Sequence, residues 1–185
     1  MALRFALLAI LSREDTTGYD LSKDVERSTG FFWNASHQQI YKELAALQNE
    51  GWVRHTTVEQ SERPAKKVYA ITKEGLAALK CWAKEPSALP KGKDAFLVKM
   101  FAGDVVGSDV LLEDLRRQKK LHADQRQLFK EIEARFFSDV ASLSTRDRMQ
   151  YLTLRRGITY ETTWLAWCKE VEESLEAEPF CGHGE

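Results

Sequence analysis

SHQQIYKELAALQNEG (residues 36–51) running into WVRHTTVEQSERPAKKVYAI (residues 52–71) is the stretch that decides the fold. Ser36 with Gln39 three residues on fits a capping box at a helix start. Ile40, Leu44 and Leu47 then recur on one helical face, and Gly51 stops the run. Residues 52–58 and 66–71 are β-prone and flank the polar segment 59–65, which predicts a hairpin with a seven-residue loop.

The neighbouring elements follow from this centre. Upstream, Leu3, Leu7, Ile10 and Leu11 predict a first helix with one buried face. Thr16-Thr17-Gly18 offers a turn and an N-cap, and Leu21 and Val25 continue a second helix toward a stop at Gly30. Phe31-Phe32-Trp33 is expected to plug the gap between helices. Downstream, Thr72 caps a fourth helix whose Leu76, Leu79 and Trp82 are expected to face the core. A helix, a turn, a helix with a polar outer face and a basic-tipped hairpin make the outline of a winged helix-turn-helix.

Pro86, Pro90 and Gly92 interrupt the pattern and mark a linker. Residues 95–102 predict a short apolar helix ended by Gly103, and Ser108 is placed to cap a long helix to about residue 137. At 1.5 Å per residue that helix reaches roughly 45 Å, too long to bury itself against a small domain. Its apolar positions Leu111, Leu115, Leu121, Leu128, Ile132 and Phe136 form a narrow stripe. A further helix from about residue 146 to 176 presents Leu152, Leu165, Cys168, Val171 and Leu175. Two long helices with thin apolar stripes predict an arm that pairs with another copy. The expected organisation is a winged helix-turn-helix domain at 1–85, a linker at 86–94, a helical dimerisation domain at 95–177 and a flexible tail at 178–185. The fold class is mainly α (α+β).

Composition limits the partners. With 27 Lys and Arg against 28 Asp and Glu the net charge is −1. Residues 1–80 hold 11 basic and 10 acidic side chains, so their excess is 11 − 10 = +1. Nucleic-acid affinity must therefore come from local clusters. Three widely spaced cysteines, Cys81, Cys168 and Cys181, give neither a zinc motif nor a disulfide framework. The apolar run at 5–11 is short, follows Arg4 and has no small-residue cleavage site, so it reads as a core helix and not a signal peptide. Nothing approaches the ~20 apolar residues of a membrane span. A cytoplasmic protein without membrane contact is expected.

On the 36–50 helix, Gln38, Lys42, Ala45 and Asn49 point away from Ile40, and Gln39 and Tyr41 flank that face. Such a face suits base edges and phosphates: glutamine pairs bidentately with adenine, worth ~1–3 kcal/mol of discrimination. It equally suits plain solvation. Arg63, Lys66 and Lys67 cluster at the hairpin tip, where they would grip phosphate or simply blunt an edge strand. Ser36 and Gln39 could contact DNA or be occupied by the cap. Tyr19, Trp33, Tyr69 and Trp82 read as packing residues, and His122 as a surface residue. Trp164 and Trp167 could line an aromatic effector pocket or pack a dimer core. Cys181 and His183 are too few for a metal site, and no catalytic constellation, metal site or cofactor motif is visible.

Several spaced motifs together resemble the PadR family of transcriptional regulators. They are Gly18-Tyr19-Asp20-Leu21, Gly30-Phe31-Phe32-Trp33, Ser36 with Gln39-Ile40-Tyr41 before Glu43-Leu44, and Arg63-Pro64 with the run from Lys67 to Gly75. Phe96-Leu97-Val98-Lys99-Met100-Phe101 and Trp164-Leu165-Ala166-Trp167 extend the resemblance to nearly the whole chain. It implies a homodimeric repressor binding double-stranded DNA at an inverted-repeat operator near promoters. Some members of that family release DNA on binding phenolic acids or drug-like aromatics. The expected DNA-contact set is Ser36, Gln38, Gln39, Tyr41, Lys42, Arg63, Lys66 and Lys67. Two other functions fit the same residues: a winged-helix protein-interaction module that never touches DNA, and an aromatic-ligand carrier.

Overall fold

A computed structural model describes residues 2–25, 35–59, 65–89 and 92–180. The chain divides into two compact units, Met1–Leu89 and Pro90–Glu185.

In the first unit α1 (Ala2–Leu11) is built from strong helix formers, and its Phe5, Leu7, Leu8, Ile10 and Leu11 are buried. Thr16–Thr17, expected only as a turn, also forms a two-residue strand, β1. Thr17 serves twice, because its hydroxyl oxygen then accepts from Asp20 N–H at 3.1 Å and caps α2 (Gly18–Asp24). The α3 helix spans His37–Asn49, with Ile40, Leu44 and Leu47 buried as predicted. Gly51 takes φ 74°, the left-handed conformation that turns the chain out of the helix. Strands β2 (Val53–Val58) and β3 (Lys66–Ile71) pair antiparallel from Val53↔Ile71 to Val58↔Lys66. The sheet order is β1-β3-β2. Thr72 caps α4 (Lys73–Trp82), its oxygen accepting from Gly75 N–H at 3.0 Å.

One core joins these elements: the α1 side chains with Leu21, Val25, Ile40, Leu44, Leu47, Val53 and Tyr69. Three expectations need correction. Tyr19 is 57% exposed, because α2 turns Gly18, Leu21 and Ser22 inward and leaves Tyr19 on the opposite side. Trp82, 38% exposed, lies over the core's edge and not in it, its ring stacked on Phe5 at 4.5 Å. Leu76 is likewise at the margin at 37% exposure, and the α4 residue that goes deep is Gly75. The expected stop at Gly30, the Phe31-Phe32-Trp33 plug, and Arg63 and Pro64 lie outside the described residues.

In the second unit Asp94 caps α5 (Ala95–Phe101), accepting from the N–H groups of Phe96 and Leu97. The α5 helix ends just before Gly103, as the sequence predicted. The chain pivots at Ala102 and re-enters a short helix, α6 (Gly103–Val106), with Gly103 packed against Leu111. Gly107, at φ 89°, makes the break. The long helices are α7 (Ser108–Phe136) and α8 (Thr145–Ala177), the latter capped by Ser144; a 3₁₀ turn at Val140–Ser142 lies between them. Leu111, Leu112, Leu115, Cys168, Val171, Leu175 and Phe96 form the unit's core. Lys99–Asp114, Lys119–Glu172 and Arg155–Glu133 ion pairs flank it.

Ser108 is not a cap. It is buried, and it exchanges hydrogen bonds with the Phe180 main chain. Phe180 is thereby docked on the unit and does not belong to a flexible tail; Cys181 and His183 lie outside the described residues. His122 is also no simple surface residue. Its Nδ1 bonds Glu161, itself buried, and its ring stacks on Trp164 at 3.7 Å. No helix among the described residues is long and apolar enough to cross a membrane.

Candidate nucleic-acid interface

The start of α3 carries a full capping box. Ser36 Oγ accepts from Gln39 N–H at 3.2 Å, and Gln39 Oε1 accepts from Ser36 N–H at 2.9 Å. Both side chains are therefore committed to holding the helix end, although both remain exposed and the Gln39 amide NH₂ is still a donor. Beyond the cap, Gln38, Tyr41, Lys42, Ala45 and Asn49 are exposed, on the side facing away from Ile40, Leu44 and Leu47.

Acidic charge on α3 is confined to its other flank. Arg4 of α1 bonds Glu43 at 2.9 Å and Glu50 at 2.8 Å, and its guanidinium sits 5.2 Å from the Trp52 ring. Hydrogen bonds to Glu50 and then Glu43 push the Arg4 pKa above its ordinary value. The pairing offsets both carboxylates, leaving Lys42 as the charge on the outward face. Local chemistry here matters more than the near-neutral total.

Tyr41 is exposed at its edge but not free-standing. Its ring lies so close to Gly18 that a Cβ there would come within 2.6 Å of Cε1. This contact fixes α3 against the start of α2. At the other end of α3, Gln48 Oε1 and His55 Nδ1 of β2 are 2.9 Å apart, and Trp52 N–H donates to Leu47 O at 2.9 Å. The His55 ring reaches Tyr69, whose phenol pKa is raised by burial and then by the neighbouring Tyr41. Helix and hairpin thus share one set of contacts.

Among the described residues no further strand pairs with the hairpin at its outer end. β1 covers β3 only at Tyr69 and Val68. Lys67 opposite Thr57 and Lys66 opposite Val58 lie beyond that cover, all four exposed. Because strand side chains alternate, Lys66 and Lys67 point to opposite faces of the ribbon. Arg54, opposite Ala70, shares the Lys66 face and is exposed, a position outside the expected contact set that the Val53-Arg54-His55 alternation signals. On α2, Lys23, which the sequence does not single out, stands beside Tyr19, which it marks as a packing residue. Their i, i+4 spacing was the available signal, and the Lys23 ammonium lies 4.3 Å from the Tyr19 ring centre.

Trp164 and Trp167, the candidate effector residues, are half-buried in the second unit. They meet each other at 5.7 Å and Phe96 at 6.2 and 6.1 Å. These rings pack against the unit's core.

A helical unit with an exposed basic hairpin and a capped, polar-faced third helix is a winged-helix DNA-binding module. Residues 7–81 match the transcriptional regulator PadR-like family, and residues 93–176 match the virulence activator alpha C-terminal family. A probable transcriptional regulator of Mycobacterium tuberculosis is 39% identical over 189 residues, 95% of this chain and 98% of that one. The negative transcriptional regulator PadR of Bacillus subtilis is 27% identical, over 91% of this chain and 94% of its own. Among solved structures, the Vibrio cholerae virulence activator AphA superposes with a TM-score of 0.78 at 35% identity, covering 95% of this chain and 98% of that one. Bacillus subtilis PadR in complex with operator DNA gives a TM-score of 0.84 at 24% identity, covering 95% and 99%. The chain belongs to the PadR-like family: it is a DNA-binding transcriptional regulator, not an enzyme.

Proposed function

We propose that this chain is a homodimeric, cytoplasmic repressor that binds an inverted-repeat operator and blocks a promoter sterically. The observation that carries the reading is the outward face of α3, capped at its start, with its two acidic neighbours paired to Arg4, and joined to a hairpin that ends in exposed lysines. Gln38, Gln39 and Tyr41 would read the groove. Lys42, Arg63, Lys66 and Lys67 would hold phosphate, with Ser36 aiming the helix end at the backbone. Two α3 helices in successive major grooves, about 34 Å apart, require a dimer. Support for one comes from the exposed apolar side chains Leu121, Leu128 and Phe136 on α7 and Met149, Leu152 and Tyr160 on α8. In this reading residues 1–85 bind DNA, 86–94 link, and 95–177 dimerise.

A small aromatic effector is the further part of the proposal, acting at the Trp164–Trp167–Phe96 cluster. The p-coumaric acid complex of Bacillus subtilis PadR supplies the ligand to try first. Quenching of tryptophan fluorescence together with release of bound duplex is the expected result; quenching without release would remove the effector role.

Activation is the second reading, favoured by the likeness over both units to the Vibrio cholerae virulence activator. Footprinting of genomic fragments with the purified protein, paired with in vitro transcription from the protected promoters, tests both. Protection over promoter elements with fewer transcripts supports repression. Protection upstream with more transcripts supports activation. Protection of nothing at low salt, or a stable monomer in solution, overturns the proposal.

A further inference from the structure

We infer that α2 supplies a second phosphate-binding ridge, formed by Tyr19 and Lys23, that flanks the groove-facing surface of α3; the inference rests on the DNA-binding reading of that surface. A seven-residue helix that buries Gly18, Leu21 and Ser22 leaves little side-chain surface, and its largest exposed group is a tyrosine. The ring is not idle. It holds the Lys23 ammonium at 4.3 Å, and among the described residues Lys23 has no carboxylate partner. A cation pre-positioned on an aromatic face loses less freedom when it meets an anion.

Position adds to the argument. Tyr19 follows Gly18 directly, and Gly18 is the residue against which the Tyr41 ring of α3 is seated, with its hydroxyl 3.0 Å from where a Cβ would stand. The α2 ridge and the outward side of α3 therefore adjoin at one seam, presenting two phenols and an ammonium. Those groups are hydrogen-bond donors or cations, the chemistry that recognises a phosphodiester. The acidic side chains of α2, Asp20 and Asp24, lie along the other edge of its exposed face at about 100° per residue. Asp20 Oδ2 accepts from the Thr17 hydroxyl at 2.6 Å.

The test measures duplex binding across a salt series, using the DNA upstream of the protein's own gene and an unrelated duplex of equal length. Lys23→Gln should weaken both about two- to fivefold and flatten the log–log salt slope by about 0.9, the signature of one lost phosphate contact. Tyr19→Phe keeps the ring under Lys23 and should change affinity about twofold with no change in slope. Tyr19→Ala should combine both losses. Unaltered melting temperatures confirm that each variant is folded, as surface positions lead one to expect. If Lys23→Gln and Tyr19→Ala bind like the parent while a Lys66/Lys67 double variant is weakened, the α2 ridge is wrong and the α3–hairpin reading stands. If the parent binds neither duplex, both fall.

Discussion

Ser36 and Gln39 hydrogen-bond each other's main chain across the first turn of α3, at 3.2 and 2.9 Å. The start of α3 is thus anchored by two of the residues that the sequence also nominates for DNA contact. The two roles separate by measurement. Ser36→Ala should cost about 0.5–2 kcal/mol of stability by removing the cap, whereas Ser36→Asp, which caps equally well, should keep the melting temperature. If Ser36→Asp is as stable as the parent yet binds duplex markedly less well, the added negative charge lies close to phosphate. Unchanged affinity would limit Ser36 to structure.

Gly75 sets a second, purely steric condition. A Cβ there would stand 2.2 Å from the Trp52 carbonyl oxygen, a main-chain atom held by Thr72 N–H at 3.0 Å. Neighbouring Gly51 O accepts the Thr72 hydroxyl at 2.8 Å, so the turn has little room to retreat. Gly75→Ala should therefore destabilise the first unit by about 1–3 kcal/mol, the usual cost of overpacking. A chemical denaturation curve superposing on that of the parent would contradict this placement.

Much of the first unit was legible in the sequence because its signals are local. The Ser36–Gln39 spacing, the Ile40-Leu44-Leu47 face, the stop at Gly51 and the Thr72 cap each depend on residues within a turn or two. What escaped depends on distant partners. Thr16 and Thr17 become a strand only because Tyr69 and Val68 are there to pair with them. Tyr19 reads as core by its chemistry, and only the orientation of α2 exposes it. In the second unit, Ser108 has the composition of a cap, but Phe180, 72 positions later, claims its hydroxyl. Likewise Glu161 of α8, not the α7 sequence, draws His122 inward. The outward face of α3 was legible as a polar stripe, while its electrostatic clearing by Arg4, 39 positions from Glu43, was not.

The thiols should differ in reactivity. Cys168 is fully buried, and burial pushes its pKa from 9.0 up to about 11, with Lys119 acting to lower it and Glu172 to raise it. Cys81 is exposed. At pH 8 a maleimide should label Cys81 within minutes and leave Cys168 unlabelled until the protein unfolds, as read by peptide mass spectrometry. The linkage has a definite sign: the folded state keeps the Cys168 proton longer, so this stabilisation is present below pH 9 and is lost as pH rises toward 11. Rapid labelling of Cys168 in native buffer would contradict the packing of α8 on α7.

Acid should weaken the same unit from the other side. Asp114 bonds Lys99 of α5 and, one turn along α7, Arg117; these hydrogen bonds hold its carboxyl below the ordinary 3.8, against a smaller opposing effect of burial. A carboxylate whose folded pKa is depressed stabilises above its unfolded value and loses that effect as pH falls through the folded one. Asp114→Asn should therefore lower the melting temperature at pH 7 and have progressively less effect below about pH 4. An equal loss at pH 7 and at pH 2.5 would mean that the side chain acts by packing alone.

The hairpin lysines give the most direct reading of the interface. Lys66 and Lys67 are exposed beyond the reach of β1 and point to opposite faces of the ribbon, so a single DNA backbone cannot engage both from the same side. If the hairpin straddles a groove wall, with a phosphate on each side, Lys66→Gln and Lys67→Gln should each reduce the log–log salt slope by about 0.9 and the double variant by about twice that. If it lies flat, one of the two substitutions should be silent. In either geometry the loss must be the same for specific and unrelated duplexes, since phosphate carries no sequence. A loss confined to the specific site would instead put a lysine on a base edge, and the division between a helix that reads and a hairpin that grips would have to be redrawn.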